Sequence, residues 1–473
     1  MANAVLISTY DMGRQPFGLA SPAAWLRDAG HEVTCVDLSR GRLPVDAVSS
    51  ASLIGFFLPM HTATRLALPV IDRVRKLNPA ARIVAYGLYA PLNEELLRER
   101  GVQSVLGGEF EQDLVNAAAQ PTTAGAYPST LAPRHPGTPA PEHPSTPAPW
   151  HPGTLAPSII PRVIFKTPAR DGLPPLSQYA ALYVGSERRI VGYTEASRGC
   201  KHRCRHCPIV PVYNGRFRIV PADVVVADAR AQVAAGARHI TFGDPDFFNG
   251  IRHAREVVER LARECPGVSY DVTIKVEHLL KHADALPLLR VTGCAFITSA
   301  VESLDDGVLE LLEKGHTRAD FERAVAVCRE AGVPMSPTFV AFTPWTTVEG
   351  FLHLLHEIDR LELVEQVSPI QYAIRLLVPR GSRMLEVEDM RAWTQPFDPI
   401  SLTFPWQHPD PRVDRLQESM ARLVGVNSSA PRRQLFDRVW EEAHAFAGRV
   451  APMRREPLIA RAAIPYLNEP WYC

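Results

Sequence analysis

The sequence predicts an α/β protein: an N-terminal Rossmann-like (flavodoxin-like) parallel sheet domain, a partial (β/α)6 barrel and a helical C-terminal extension. Three observations predict it. Short apolar runs alternate with helical patterns in two separate stretches of chain. A proline-rich tract almost without charge lies between those stretches. Beyond residue 382 only helical periodicity remains.

In the first stretch, residues 1–119, strand-like runs fall at Ala4–Ile7, Val33–Val36, Leu53–Leu58, Arg82–Tyr86 and Ser104–Leu106. Helical patterns such as Ala63–Leu77 and Leu92–Arg100 separate them. That alternation implies βαβ units, whose right-handed crossovers place a ligand at the carboxyl ends of the strands. Gly107-Gly108-Glu109 follows the last run as a turn that opens a helix. The tract 120–160 is different: between Pro121 and Ile160, eleven prolines accompany only two charges, Arg134 and Glu142. Thr130, Thr138, Thr146 and Thr154 recur eight apart, a repeat that cannot bury a core and reads as an extended linker. His135, His143 and His151 share that period, yet polyproline with three residues per turn does not stack them on one face. Linker repeat is therefore a better reading of them than metal binding.

In the second stretch, residues 161–382, strand candidates are Ile190–Ala196, His239–Phe242, Ser269–Lys275, Ala295–Val301, Met335–Phe342 and Ile370–Val378. Helical patterns at Ala222–Ala235, Ile251–Cys265, Asp305–Leu312, Arg318–Ala331 and Val348–Leu361 lie between them. Six βα repeats match a partial barrel, with the reactive centre expected at the carboxyl ends of its strands. Residues 383–473 carry helical stretches near Val413–Leu423 and Gln434–Gly448, then a tail.

The length of 473 residues is consistent with this division. With 46% hydrophobic and 22% charged residues the chain can bury substantial cores, which excludes wholesale disorder. Its 51 basic and 51 acidic side chains balance, which weighs against an electrostatically driven nucleic-acid binder. No window approaches the roughly 20 apolar residues of a membrane span. Met1 to Ser8 lacks the basic start and cleavage site of a signal peptide. The expectation is a cytoplasmic globular protein without membrane contact.

Eight cysteines are too few and too uneven for a disulfide scaffold of this size, and three fall within eight positions. Cys200-Lys-His-Arg-Cys204-Arg-His-Cys207 is a C-x3-C-x2-C run in the loop after the first barrel strand. Three thiolates on one loop can ligate three irons of a [4Fe–4S] cluster and leave the fourth open to a chelating cofactor. The rival is a structural zinc using His202 or His206 as a fourth ligand, although such sites usually gather two spaced pairs. Inert buried cysteines fit poorly beside Lys201, Arg203 and Arg205.

This motif, after the first strand of a six-fold βα array, resembles that of the radical S-adenosylmethionine (SAM) enzymes. The resemblance implies that Cys200, Cys204 and Cys207 ligate the cluster and that its unique iron binds the amino and carboxylate groups of SAM. One electron then cleaves the sulfonium to methionine and a 5′-deoxyadenosyl radical. His206 holds the place of the family's adenine-contacting residue. Gly243-Asp244-Pro245-Asp246 occupies the position of the segment that holds the SAM amino group, so Asp244 or Asp246 would serve there; a helix N-cap is the other reading of each. Glu302, ending the fourth strand before Ser303, resembles the Glu-Ser segment of cobalamin-linked members, and an unpaired buried charge at a strand end would be costly. Lys275 follows the third strand. Arg375, sharing a face of the sixth with Gln371 and Ala373, would either meet a carboxylate or phosphate bidentately or pair with an internal glutamate.

Residues 1–119 resemble the cobalamin-binding-like domain that precedes many of these barrels, and Gly108-Glu109-Phe110-Glu111 matches its common Gly-Glu-x-Glu close. The Asp-x-His-x-x-Gly that supplies cobalt's lower ligand is absent, so cobalamin is a possible cofactor and a degenerate module the alternative. The ending at Cys473, with several barrel segments, resembles the CUAEP/CCAEP-tail radical SAM proteins and selenoproteins. That implies continuation through a selenocysteine codon and a redox role for Cys473; a frayed end is the plainer reading. Together these imply a radical SAM enzyme with a [4Fe–4S] cluster and SAM. It would act on a small-molecule or peptide substrate and take electrons from a flavodoxin- or ferredoxin-type donor. The non-enzymatic alternative is an iron–sulfur or zinc scaffold.

Overall fold

The computed structural model describes residues 2–120, 164–427 and 430–454, and the backbone of 466–467. The proline repeat and Cys473 lie outside the described residues. Five strands build the first sheet: β1 (Asn3–Ser8), β2 (Glu32–Asp37), β3 (Leu53–Phe57), β4 (Arg82–Tyr86) and β5 (Ser104–Leu106). All pair in parallel in the order β2-β1-β3-β4-β5. The order reverses at β1, so the carboxyl ends of β1 and β3 flank the crevice where such sheets take ligands.

The strands are nearly continuous apolar runs because helices cover both faces of the sheet. One covering helix, Phe17–Asp28, is masked in the sequence by its internal Pro22. Proline cannot donate to the carbonyl four residues back, that of Gly18. The buried Tyr86 hydroxyl donates to that oxygen instead, at 2.9 Å.

The second sheet is a curled half-barrel. Its parallel strands are β7 (Glu187–Thr194), β10 (His239–Phe242), β11 (Ser269–Thr273), β12 (Cys294–Glu302) and β13 (Met335–Phe339). On one edge β6 (Ala181–Val184) adds antiparallel to β7, and β14 (Tyr466–Leu467) to β6. A separate hairpin of β8 (Ser197–Gly199) and β9 (Phe217–Ile219) follows β7. Amphipathic helices pack outside; Ala254, Val257, Val258 and Leu261 form the buried stripe of helix Ile251–Glu264.

The expected sixth strand is a correction. Ile370–Val378 contributes a 3-10 turn at Pro369–Tyr372 and a single parallel bridge, Phe342 to Arg375. The Phe339 N–H that would enter a sixth ladder donates to the Gln371 side chain at 2.8 Å. Helices Pro411–Val426 and Arg432–Phe446 of the C-terminal extension pack into the same core. No helix among the described residues is long and apolar enough to cross a membrane.

Candidate radical-chemistry site

The β8–β9 hairpin presents the three cysteines. Gly199, ending β8, has φ +75°, and a Cβ there would lie 2.5 Å from the Arg216 carbonyl. Only glycine starts the loop this way. Cys200 and Cys204 are buried, Cys207 is half-buried, and all three are free thiols. The loop is pinned from outside: Arg205 donates to the Leu311 carbonyl at 2.9 Å and pairs with Glu313 at 2.9 Å. Asn249 receives the Lys201 N–H at 3.3 Å and lies 4.0 Å from Cys200 Sγ.

Burial pushes the Cys207 thiol up to about 12; Cys204 and Cys200 push the same way and Lys314 opposes them. The three sulfurs and one ammonium therefore share a neighbourhood where thiolates need added positive charge. Among the described residues, one His/Cys/acid group of three has its donor atoms within 4.8 Å of one another, Cys200, His202 and Asp246, and it takes in one of the three sulfurs. A tetrahedral zinc with sulfur ligands at about 2.3 Å needs all its donors that close. A four-iron cluster takes each sulfur on a separate iron. The three cysteines fit the cluster, one sulfur to each of three irons.

Of the residues expected to hold SAM, Gly243 follows β10 and is closely overlain: a Cβ there would sit 1.7 Å from Tyr193 Oη. Gly243→Ala is expected to displace that buried ring and cost about 1–3 kcal/mol, read by chemical denaturation. Asp244 is already engaged, accepting from the Ala196 N–H at 2.9 Å and Ser197 Oγ at 2.5 Å. Burial pushes its carboxyl up to about 7 against those bonds. It braces the strand leading into the cysteine loop. Asp246 caps the turn Phe247–Gly250 through the Phe248 N–H at 3.2 Å. Its other oxygen meets His278 at 2.6 Å and His202 at 3.4 Å. Burial raises this carboxyl, but the two imidazoles outweigh it and hold it at about 2. The N-cap reading of Asp246 thus describes its geometry.

Glu302 ends β12 at φ +72°, where the register with β13 shifts. Its Oε1 lies 3.2 Å from His206 Nε2 and 3.4 Å from Lys314 Nζ. Burial raises the carboxyl; Lys314 and His206 prevail and hold it at about 2. Lys275, buried two residues after β11 at the start of helix Val276–Lys281, lies 3.7 Å from Glu277. His316, buried beside both lysines, is lowered to about 4 by burial, then by Lys314 and Lys275. Glu302, His206, Lys314, Lys275 and His316 are thus brought together beside the cysteines.

Arg375 departs from the expected ligand role. Its guanidinium donates to Asp414 at 2.6 Å and the Trp406 carbonyl at 2.6 Å, and lies 3.6 Å from the centre of the Trp406 ring. It ties the C-terminal extension to the barrel. The internal partner is an aspartate far along the chain, which spacing alone does not reveal.

A cleft of about 240 Å³ separates the two sheets, lined by Asp11, Met12 and Met60 after β1 and β3, by Gly87 and Gly108, and by Tyr193, Arg198 and Tyr213 of the barrel side. Arg198, two residues before Cys200, is buried between Glu111 at 2.7 Å, Glu195 at 2.9 Å and Glu109 at 3.5 Å. Sequence reasoning singles out the Gly-Glu-x-Glu segment but not this partner, which arrives from a different domain. Burial pushes the Glu109 carboxyl up to about 7, with Arg198 opposing.

Residues 194–356 match the Radical SAM superfamily. The ribosomal protein uS12 methylthiotransferase RimO of Geobacter sulfurreducens is 23% identical over 191 residues, covering 38% of this chain and 42% of that protein. The tRNA-2-methylthio-N(6)-dimethylallyladenosine synthase of Chlorobaculum tepidum is 29% identical over 159 residues, covering 32% and 35%. The chain thus spans less than half the length of these curated relatives. Among solved structures, the cobalamin-dependent SAM radical enzyme OxsB with aqua-cobalamin superposes with TM-score 0.66 at 14% identity, covering 90% of this chain and 67% of that one. The radical SAM methyltransferase TsrM from Kitasatospora setae, with cobalamin and a [4Fe–4S] cluster, gives TM-score 0.58 at 20% identity, covering 84% and 77%. These two likenesses concern the fold and extend over both sheets. None of these matches bears on the selenoprotein resemblance.

Proposed function

We propose that this radical SAM enzyme cleaves SAM reductively and uses the product radical to abstract hydrogen from an organic substrate held between the sheets. The observation that carries the proposal is the set of three free cysteines on one hairpin loop, beside a buried carboxylate, Glu302, that meets Lys314 and His206. Cys200, Cys204 and Cys207 would hold the cluster, and its chemistry when bound is to pass one electron to the SAM sulfonium, releasing methionine and a 5′-deoxyadenosyl radical. Lys275 and Lys314 supply the positive charge that a SAM carboxylate would meet, while Glu302 stays ionised and orients His206 through their hydrogen bond. Asp244 and Asn249 hold the loop's approach, and the Tyr193 ring lies directly against Gly243.

A cobalamin-assisted methyl transfer is the second reading, favoured by the fold likeness and by strand ends of the first sheet that line the cleft. The residues present do not fit a corrin as they stand. The cleft's volume of about 240 Å³ is below the roughly 300–1,000 Å³ that drug-sized ligands occupy, and a corrin is larger. Anaerobic reconstitution with iron and sulfide tests both readings. The expected result is a brown protein with about four irons that releases 5′-deoxyadenosine from SAM under dithionite. Zinc-loaded, colourless protein would reject the proposal, and a corrinoid retained through purification would replace it with the second reading.

A further inference from the structure

We propose that His356 and His444 form a site for a divalent zinc ion that clasps the C-terminal extension onto the barrel. The two histidines come from helix Val348–Arg360 of the barrel and helix Arg432–Phe446 of the extension. Their Nε2 atoms stand 3.3 Å apart. The ring centres are farther apart, 5.3 Å, so the rings meet through these nitrogens and not through their faces. Two imidazole nitrogens on one tetrahedral zinc, each about 2.0–2.1 Å from the ion, are themselves about 3.3 Å apart. The pair therefore already has the spacing that the ion requires.

The ring states also suit a metal. His444 is 3% exposed, and its Nδ1 lies 2.7 Å from the Trp440 carbonyl. A carbonyl only accepts, so Nδ1 carries the proton and the neutral ring keeps its lone pair on Nε2, facing His356. Donation of the outer ring N–H to a carbonyl is how proteins orient a ligating histidine. Partial burial and then His444 lower His356 from its ordinary value of 6.5, which favours the neutral ring that a metal needs. His356 is exposed, which gives an ion its entry path. The carboxylates that act on His356, Asp359 and Glu357, are engaged by Arg454 at 2.7 Å and Arg360 at 2.6 Å. The protein thus supplies two nitrogens, and water completes the coordination. Imidazole donors of this kind suit zinc, nickel and copper, not calcium or magnesium.

The position in the fold gives the ion its role. The seam between these two helices is already tied by Arg454, which pairs with Asp359 of one helix and Asp437 of the other. Trp440 Nε1 donates to the Pro452 carbonyl at 3.1 Å, and its ring lies 4.4 Å from that of His356. An ion shared by His356 and His444 adds a cross-link along the same seam. Because it binds the docked arrangement, it stabilises that arrangement by mass action. The site is remote in sequence from the cysteine loop, and its assignment stands whether or not a cluster is bound.

The test is zinc titration of the full chain by calorimetry, with thermal denaturation at each zinc level, in native protein and in His356→Asn. Asparagine at this exposed position can still hydrogen-bond to His444 but is a poor zinc ligand, so the metal-free Tm should stay close to native. Reconstituted protein, whose loop cysteines are occupied, and a Cys204→Ala background are both used, and the readout in each is the difference made by His356→Asn. Native protein is expected to bind one zinc ion at this pair with a micromolar Kd and to gain several degrees in Tm. In His356→Asn that Kd should rise at least tenfold and the gain in Tm should vanish. His356→Asp, which restores a ligand, should recover part of the zinc response. Native protein whose Tm ignores zinc, or an equal zinc response in His356→Asn, would overturn the proposal. So would a metal-free Tm that falls in His356→Asn while zinc adds nothing to the native chain, since the pair would then be a proton-sharing hydrogen bond.

Discussion

Cys204→Ala is expected to give a folded protein that is colourless after reconstitution and forms no detectable 5′-deoxyadenosine. The side chain is buried but small, so its removal costs about 1 kcal/mol of stability, within reach of thermal denaturation. The chemical loss is total because the three sulfurs act as one unit. With two ligands remaining, the cluster would have two irons without protein donors, and the site would no longer leave one defined corner for SAM. The neighbouring cations sharpen the effect. Lys314 is buried and is held charged by Glu302 and by the sulfurs of Cys204 and Cys207. Deleting one sulfur leaves that ammonium with less compensation, so the local network should loosen. A Cys204→Ala protein that kept both the brown chromophore and nucleoside release would refute the cysteine assignment. Cys265→Ala is the matched control: it removes another buried thiol, on the outer helical layer, and should leave both signals unchanged.

Much of this site is legible along the chain, and the illegible parts share a cause. The cysteine spacing is local, so the loop can be read from eight consecutive residues. Strand positions are legible because parallel strands buried on both faces are continuous apolar runs; the predicted and observed bounds of β4 and β10 coincide. The sixth strand misleads for the same reason: Ile370–Val378 is apolar enough to be a strand, but the Gln371 amide takes the backbone partner that would have paired with it. What spacing does not encode is which charges meet. Asp244, Asp246 and Arg375 are each chemically able to hold a ligand, and each is engaged by groups from elsewhere in the chain: Ser197, His278 and Asp414. Glu302 is the opposite case. The cost of burying a strand-end carboxylate signals a partner, and the partners are His206 and Lys314.

The same logic makes Arg198→Met a far more destabilising change than loss of a cysteine of the loop. Arg198 joins the two sheets: Glu109 and Glu111 come from the first domain, while Glu195 comes from the strand end beside the cysteine loop. Ser21 lies 3.3 Å from the guanidinium, and the rings of Phe17, Phe110 and Phe165 surround it at 5.2–5.7 Å. Replacing the cation by an apolar chain of similar length leaves carboxylates buried without a counter-charge, a loss of about 3–5 kcal/mol. Acidity provides an internal check on the cause. The Glu109 carboxyl lies at about 7 in the fold against an ordinary 4.5, so the folded state binds a proton more tightly across that window. Stability linked to this group is therefore present below about 4.5 and declines as pH rises through 7. Without Arg198 the opposing charge is gone, the carboxyl titrates higher still, and the decline should steepen and shift upward. Urea unfolding at pH 5.5 and pH 8 should accordingly show a larger deficit for Arg198→Met at pH 8. Adding Glu109→Gln, which fixes the neutral form, should recover part of that deficit at pH 8 and almost none at pH 5.5. A deficit below about 1 kcal/mol, the usual size of an exposed pair, or one independent of pH, would show that packing and not charge holds the domains together here.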